Sequence, residues 1–168
     1  MRLFFPTINV KNVTDISIEL LKSLGVKAVF LDVDNTIAKQ DCMELICGAE
    51  VWLEEVLKSN IEVVIVSNNF KKRVKSFSDK LGVPFVSFAQ KPLPYSFFRA
   101  KLKLKNKNIN KSECVAIGDQ IFTDVLGANL NGIRSILTQP VFRNEGRKNR
   151  IRRKLENSIR CKFESQGV

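Results

Sequence analysis

Residues 30–36 read Phe30-Leu31-Asp32-Val33-Asp34-Asn35-Thr36. An apolar run that begins at Ala28 leads into them, and such a run flanked by turn residues is typical of a buried strand. Two carboxylates placed two residues apart on a strand point to the same side, and burying like charges together is costly unless a cation joins them. The stretch therefore predicts a Mg²⁺ or phosphoryl site. The alternative is a strand that simply ends in a polar turn.

The rest of the chain alternates predicted strands with predicted helices. The predicted strands cover residues 27–31, 61–66, 84–88, 114–117 and 133–137. The predicted helices cover residues 16–24 (capped by Thr14 or Asp15), 44–58, 71–81, 95–104 and 123–130, and a basic helix is expected from residue 144. The segment around Pro6 is interpreted as a lead-in without a strand. This alternation predicts an α/β fold, a three-layer Rossmann-like parallel sheet with helices on both faces.

Polar side chains follow four of the predicted strands. They are Asp32 and Asp34, Ser67 and Asn68, Lys91, and Asp119. In a parallel α/β sheet, ligands bind outside the carboxyl ends of the strands, so these residues are expected at one edge. Phosphoryl transfer needs such a set, because carboxylates hold Mg²⁺, an aspartate can act as the nucleophile, and hydroxyl, N–H and ammonium groups hold phosphoryl oxygens. Taken singly, each residue has an ordinary structural interpretation as a turn, a solvated lysine or a helix cap.

Four motifs, in this order, resemble those of the haloacid dehalogenase (HAD) phosphatase superfamily. They are Asp32-Val33-Asp34-Asn35-Thr36, Ser67-Asn68-Asn69, Lys91-Pro92, and Gly118-Asp119-Gln120 with Thr123-Asp124. The chain is most similar to the subfamily IIIA phosphatases of the bacterial YqeG type, which are related to mitochondrial phosphatidylglycerophosphate phosphatase. The resemblance runs from the lead-in to about Pro140. We therefore expect a HAD-like domain over residues 1–140 and a basic helical tail over residues 141–168.

The resemblance implies a Mg²⁺-dependent phosphomonoester hydrolase that works through an aspartyl-phosphate. It implies Asp32 as the nucleophile and a metal ligand. It implies Asp34 as general acid and then base, with its backbone carbonyl on the metal, and Asp119 as a further ligand. The implied phosphate-binding residues are Ser67, Asn68 and Lys91, and the supporting residues are Thr36 and Asp124, the latter holding metal-bound water or Lys91.

Composition excludes several other chemistries. The 168 residues include no histidine, which removes Ser-His-Asp and phosphohistidine chemistry, and the four cysteines lack the C-x-x-C spacing of a zinc site. No G-x-G-x-x-G or P-loop motif is present. A hydrophobic fraction of 44% suits one globular domain, and no apolar run approaches the roughly 18 residues of a membrane span. The N-terminus has no signal-peptide pattern, so a cytoplasmic location is expected.

The spacing of the motifs leaves no room for a large cap domain. Residues 37–60 hold little more than one predicted helix, and residues 70–90 hold one helix and one short strand. In the HAD superfamily this implies an open site, suited to a large substrate or to one presented on a surface.

The net charge of +11 is concentrated in two stretches. Between residues 99 and 111 the basic residues, with no acidic one among them, are Arg99, Lys101, Lys103, Lys105, Lys107 and Lys111. Residues 143–162 carry nine basic residues against Glu145 and Glu156, with an apolar stripe at Ile151, Leu155, Ile159 and Phe163. This tail suits a helix on an anionic membrane surface, a helix docked on the core, or, with less support, an RNA contact.

Three functions remain open from the sequence. The leading hypothesis is the phosphatase, with a phosphorylated substrate such as the anionic phospholipid phosphatidylglycerophosphate and a peripheral position on the inner membrane surface. The second is a receiver-like signalling module that is switched by phosphorylation. The third is a basic RNA- or ribosome-binding protein without catalysis.

Overall fold

The computed structural model describes residues 2–40, 42–142 and 154–161. The strands are β1 (Ile8–Asn9), β2 (Ala28–Leu31), β3 (Glu62–Val66), β4 (Phe85–Val86), β5 (Cys114–Gly118) and β6 (Arg134–Leu137). The helices are α1 (Ile18–Ser23), α2 (Ala49–Lys58), α3 (Lys71–Leu81), α4 (Tyr95–Lys101), α5 (Leu126–Leu130) and α6 (residues 154–161). The strands form one parallel sheet in the order β1-β6-β5-β2-β3-β4.

Successive residues of the central strand β2 face two different cores. Val29 and Leu31 belong to a core shared with α1, α2 and α3, whereas Ala28 and Phe30 belong to a core shared with α4 and α5. Because side chains alternate along a strand, one buried strand can bind helices on both of its faces. The predicted three-layer α/β fold is confirmed.

The register of β2 aligns the ends of the central strands. Leu31 pairs with Ile65 of β3 and with Ile117 of β5. The three strands therefore finish at nearly the same level, and the polar residue that follows each of them lies at one edge. These residues are Asp32, Ser67 and Asp119.

The lead-in segment contains an edge strand that the sequence interpretation missed. Ile8 of β1 pairs with Ile136 of β6. Two residues are too short to show an alternating pattern, so β1 depends on the edge of the sheet that receives it. The predicted cap of the first helix was also wrong. Ser17 caps α1 by accepting a bond from the Leu20 N–H at 3.1 Å, because residues Val13–Asp15 form a separate 3₁₀ turn.

Other boundaries move for local reasons. The helix predicted over residues 44–58 begins only at Ala49, because Gly48 adopts a left-handed conformation with φ of 82°. The helix predicted over residues 123–130 begins with a π-helical turn, Ile121–Val125, which leads into α5. Turns of this kind are frequent at functional sites.

The described residues between the motifs form no cap domain. Residues 42–60 and 70–90 contain α2, α3 and β4 as their regular helices and strands. Within the part of the chain that the structure describes, no helix has the length and hydropathy needed to cross a bilayer.

Candidate active site

The predicted motifs meet in one depression at the carboxyl edge of the sheet. Its lining residues are Asp32, Asp34, Asn35, Gln40, Ser67, Asn68, Asn69, Phe70, Lys91, Gln120 and Thr123. All four motifs contribute to this lining, because each follows the end of a parallel strand. The structure therefore brings together the residues that the sequence places far apart.

Three buried carboxylates lie together at the site, and one of them, Asp32, lines the depression. Asp32, Asp119 and Asp124 each offer an oxygen, and these oxygens lie within 4.8 Å of one another. Lys91 reaches into the same cluster, with its Nζ 2.6 Å from Oδ1 of Asp32 and 2.6 Å from Oδ1 of Asp124. Its side chain is only 3% exposed, so both ion pairs lie away from solvent.

The cluster brings three carboxylates close to the ammonium of Lys91. Burial raises the pKa of Asp32 to about 8, and the neighbouring carboxylates of Asp124 and Asp119 add to this rise against the opposing effect of Lys91. Burial alone would lower the pKa of Lys91, but the carboxylates of Asp124 and Asp32 together outweigh burial and raise it above its usual range. Burial is thus the main cause for Asp32, whereas the neighbouring carboxylates are the cause for Lys91. A buried, all-oxygen, electron-rich donor set of this kind fits a hard cation such as Mg²⁺.

Asp34 lies apart from the three-carboxylate cluster. Its Oδ1 accepts bonds from Arg73 Nε at 3.0 Å and Arg73 Nη2 at 2.6 Å, and its Oδ2 accepts one from Asn69 Nδ2 at 3.1 Å. Asp32 and Asp34 line the same depression, as expected, but they do not lie on a strand. The strand ends at Leu31, before either carboxylate, and the chain then turns at Asn35, whose φ is 62°.

Arg73 is the main residue that the sequence interpretation missed. Besides Asp34, its Nη2 donates to the carbonyls of Lys39 at 3.2 Å and Cys42 at 2.9 Å. Its guanidinium also lies 5.2 Å from the centroid of the Phe77 ring. Arg73 thereby ties α3 to the loop after the first motif. The only sequence signal was a basic residue in the first turn of the helix that follows the second motif.

The second motif positions the third. The Asn68 side chain accepts a bond from the Lys91 N–H at 2.7 Å and donates to the Lys91 carbonyl at 3.0 Å. This two-bond clamp fixes the backbone of Lys91 while the carboxylates fix its ammonium. Ser67 is buried, and its Oγ accepts a bond from the Asn69 N–H at 3.1 Å. Both side chains of the motif thus have local structural partners.

The two supporting residues contact the cluster to different degrees. Thr36 Oγ1 lies 3.5 Å from Oδ2 of Asp32, at the outer limit of a hydrogen bond. Asp124 accepts bonds from Lys91 at 2.6 Å and from the Gln120 N–H at 3.1 Å. A Cβ on Gly118 would lie only 2.3 Å from Cγ of Asp124, so any larger residue here would displace the Asp124 side chain.

Helix α6 braces the fourth motif, in agreement with the alternative that the tail helix docks on the core. Arg160 is buried and donates from Nη2 to the Asp119 carbonyl at 2.6 Å and to the Thr138 carbonyl at 3.2 Å. The buried carboxylate of Glu156 accepts a bond from the Phe122 N–H at 3.2 Å. Residues 154–161 are therefore docked on the core. The remaining tail residues, including Ile151 and Phe163 of the predicted stripe, lie outside the described residues.

Comparisons with known proteins identify the family of this chain. The family model described as mitochondrial PGP phosphatase matches residues 1–142. Probable phosphatase YqeG of Bacillus subtilis is 40% identical over 166 residues, which cover 99% of this chain and 95% of that protein. The mitochondrial phosphatidylglycerophosphatase of Saccharomyces cerevisiae is 32% identical over 143 residues, covering 76% of this chain and 73% of that protein.

Solved structures show the same fold at lower identity. An uncharacterized protein from Listeria monocytogenes has a TM-score of 0.58 at 21% identity, covering 71% of this chain and 84% of that one. The cobalt-bound deoxy-D-mannose-octulosonate 8-phosphate phosphatase of Haemophilus influenzae has a TM-score of 0.53 at 13% identity, covering 70% of each chain. Since the family model spans most of the sequence and the Bacillus relative nearly all of it, the chain belongs to the mitochondrial PGP phosphatase family and is a HAD-type phosphatase of the YqeG type.

Proposed function

We propose that this phosphatase hydrolyses phosphomonoesters with Mg²⁺, through an aspartyl-phosphate on Asp32. The observation that carries the proposal is the buried cluster in which Lys91 joins Asp32 to Asp124, beside Asp119. The side chains of Asp32 and Asp119 and the backbone carbonyl of Asp34 would hold the ion. When bound, the ion supplies positive charge to the phosphoryl oxygens.

The reaction takes two displacements at phosphorus. In the first, a carboxylate oxygen of Asp32 bonds to phosphorus while the bond to the alcohol oxygen breaks, and Asp34 gives that oxygen a proton. In the second, Asp34 takes a proton from a water molecule whose oxygen attacks phosphorus. The bond to Asp32 then breaks and inorganic phosphate leaves.

The hydrogen bonds of Asp34 suit this exchange of protons. Its Oδ1 is held by the charged Arg73, whereas its Oδ2 accepts an uncharged bond from Asn69. We assign the transferred proton to Oδ2, because the oxygen with the weaker bond gains a proton more easily.

Three groups are assigned to the substrate phosphate. They are the Ser67 hydroxyl, the Asn68 backbone N–H and the Lys91 ammonium. The side chain of Asn68 is engaged with the backbone of Lys91, which is why its part in phosphate binding falls to the backbone N–H. Donors fixed in advance stabilise the charge that develops in the transition state without reorganisation.

We further propose phosphatidylglycerophosphate as the substrate and a peripheral position on the cytoplasmic membrane surface. The relatives from yeast and Arabidopsis thaliana bear that substrate in their names, the latter being 26% identical over 150 residues that cover 83% of this chain and 42% of that protein. The described residues also leave the site uncapped, which suits a headgroup presented by a membrane.

The test compares phosphate release from p-nitrophenyl phosphate and from vesicles containing phosphatidylglycerophosphate, with Mg²⁺ and with a chelator. Asp32→Asn should abolish release from both, and Asp79→Asn, an exposed carboxylate on α3, is the matched control. Acid quenching of the wild type should trap phosphate on Asp32. An active Asp32→Asn protein would refute the mechanism, and turnover of the soluble ester without turnover of the lipid would refute the substrate.

The family assignment sets the receiver-like alternative aside, because the chain is a phosphatase. Nucleic-acid binding through the basic stretches stays a prediction of the sequence.

A further inference from the structure

We propose that α4 and the two loops beside it form a docking face for an anionic lipid surface. The face consists of exposed apolar residues, and we call it the aromatic face. Its members are Phe70, Phe88, Leu93, Tyr95, Phe98 and Leu102. The inference deepens the proposed function and rests on it, because docking through this face would bring membrane-bound phosphomonoesters to Asp32.

The outward side of α4 is apolar where a surface helix is normally polar. Phe97 and Ala100 fill the core side of this helix and are buried. Tyr95, Phe98 and Leu102 recur at helical spacing on the other side and are 59%, 56% and 56% exposed. Clustered exposed aromatic and leucine side chains mark interaction sites, whereas single ones do not.

Contacts between side chains make the aromatic face continuous with the active site. Phe70 lines the depression that holds the catalytic residues, and its ring meets that of Phe88 edge-on at 5.1 Å. Arg99 donates to the Phe88 carbonyl at 3.2 Å and lies 5.7 Å from the centroid of the Tyr95 ring. Tyr95 in turn stacks with Phe98 at 6.4 Å. The face thus extends from the mouth of the site along α4.

Basic residues that begin on α4 beside this face identify the occupant. Arg99 and Lys101 lie on the helix itself, and the chain then runs to the far end of the sheet, where the Lys105 N–H donates to the Glu62 carboxylate. The basic residues that begin within α4 and continue past it are Arg99, Lys101, Lys103, Lys105, Lys107 and Lys111. In the described residues, none of these six side chains forms an ion pair with a carboxylate. Aromatic rings that enter the headgroup region and lysines that meet anionic lipid are the two components of interfacial binding.

A second copy of this chain is a poorer occupant for the same reason. A two-fold interface on this face would place the basic residues of both copies in one interface, where like charges repel. An RNA strand would use the charge and the rings but would leave Leu93 and Leu102 without apolar partners.

The test is cosedimentation of the full chain with phosphatidylcholine vesicles, with and without phosphatidylglycerol. The wild type should bind the anionic vesicles, and the triple variant Tyr95→Ser, Phe98→Ser, Leu102→Ser should bind at least about tenfold more weakly. Lys101→Gln with Lys103→Gln should lower the affinity about 30-fold. Matched controls on the opposite face of the sheet are Val51→Ser on α2 and the pair Lys22→Gln, Lys58→Gln, which should bind like the wild type.

Hydrolysis of p-nitrophenyl phosphate by the same variants separates the two proposals. It should stay within about twofold of the wild type, which also shows that the variants are folded. Vesicle binding that is unchanged in the variants, or lost equally in the controls, would overturn the docking face, as would binding to RNA without binding to vesicles. A wild type that binds vesicles but hydrolyses neither ester would overturn the proposed function and leave the docking face standing.

Discussion

Replacing Arg73 by methionine tests whether this residue positions Asp34. Methionine keeps an unbranched apolar side chain over Phe77 but removes the guanidinium and its bonds to Asp34, to the Lys39 carbonyl and to the Cys42 carbonyl. The ion pair is largely screened from solvent, with the Arg73 and Asp34 side chains 15% and 17% exposed. Removing this ion pair should therefore lower the free energy of unfolding by more than removing a surface ion pair would.

The expected cost follows from the number of bonds lost. Four hydrogen bonds to one charged group, each reduced for partial exposure, give a loss of about 3 kcal/mol in the free energy of unfolding. For a chain of this length that corresponds to a fall in Tm of about 6–12 °C. Because Asp34 loses its fixed orientation, kcat should also fall, by about 10- to 100-fold.

The assay is a double-mutant cycle read by thermal unfolding and by steady-state hydrolysis of p-nitrophenyl phosphate. The proteins are the wild type, Arg73→Met, Asp34→Asn and the double variant, and the coupling energy should be about 1–3 kcal/mol. Lys75→Met is the matched control, because Lys75 lies on the same helix in an exposed ion pair with Asp79 and should cost at most about 0.5 kcal/mol. If Arg73→Met behaved like Lys75→Met in both readouts, Arg73 would have no positioning role.

Three more predictions concern the cluster and its supports. Asp32→Asn removes one of three crowded carboxylates. The variant should be inactive, yet without metal its Tm should lie about 2–6 °C above that of the metal-free wild type. A lower Tm in calorimetry would show that the three carboxylates do not destabilise the metal-free protein. Gly118→Ala should lower kcat about 100-fold by displacing the Asp124 carboxylate, and near-normal kinetics would show that the turn can adapt. Arg160→Met should lower the free energy of unfolding by about 2 kcal/mol, because the Asp119 carbonyl loses its buried donor. It should also raise the Mg²⁺ concentration needed for half-maximal activity. An unchanged Mg²⁺ titration would limit α6 to a purely structural role.

The site residues that follow strand ends within recognisable motifs could be predicted from the sequence. Asp32, Ser67 and Asp119 could be placed because a parallel sheet aligns the ends of its strands, whatever separates them along the chain. The ion pair of Arg73 with Asp34 could not be placed in this way. It joins residues 39 positions apart, and it depends on how α3 is rotated against the turn after the first motif.

Other misses have the same physical origin. The strand β1 is too short for a pattern and exists because β6 offers a free edge. Arg160 is buried, although the many basic residues near it in the sequence favour an exposed position. In each case a tertiary partner outweighs the local preference, and single-sequence patterns contain no information on that partner.

The charges of the buried carboxylates and of Lys91 bear on how Mg²⁺ and the phosphomonoester bind. The three carboxylates and the Lys91 ammonium are all buried, and the Arg160 guanidinium lies beside them on the Asp119 carbonyl. A phosphomonoester adds further negative charge at the same point, which a buried anionic cluster opposes. On the proposed function, a divalent cation would offset this negative charge and favour binding of the substrate. The apparent KM for p-nitrophenyl phosphate should then fall as Mg²⁺ rises toward saturation, and a KM independent of Mg²⁺ would show that Lys91 alone suffices to admit the phosphate.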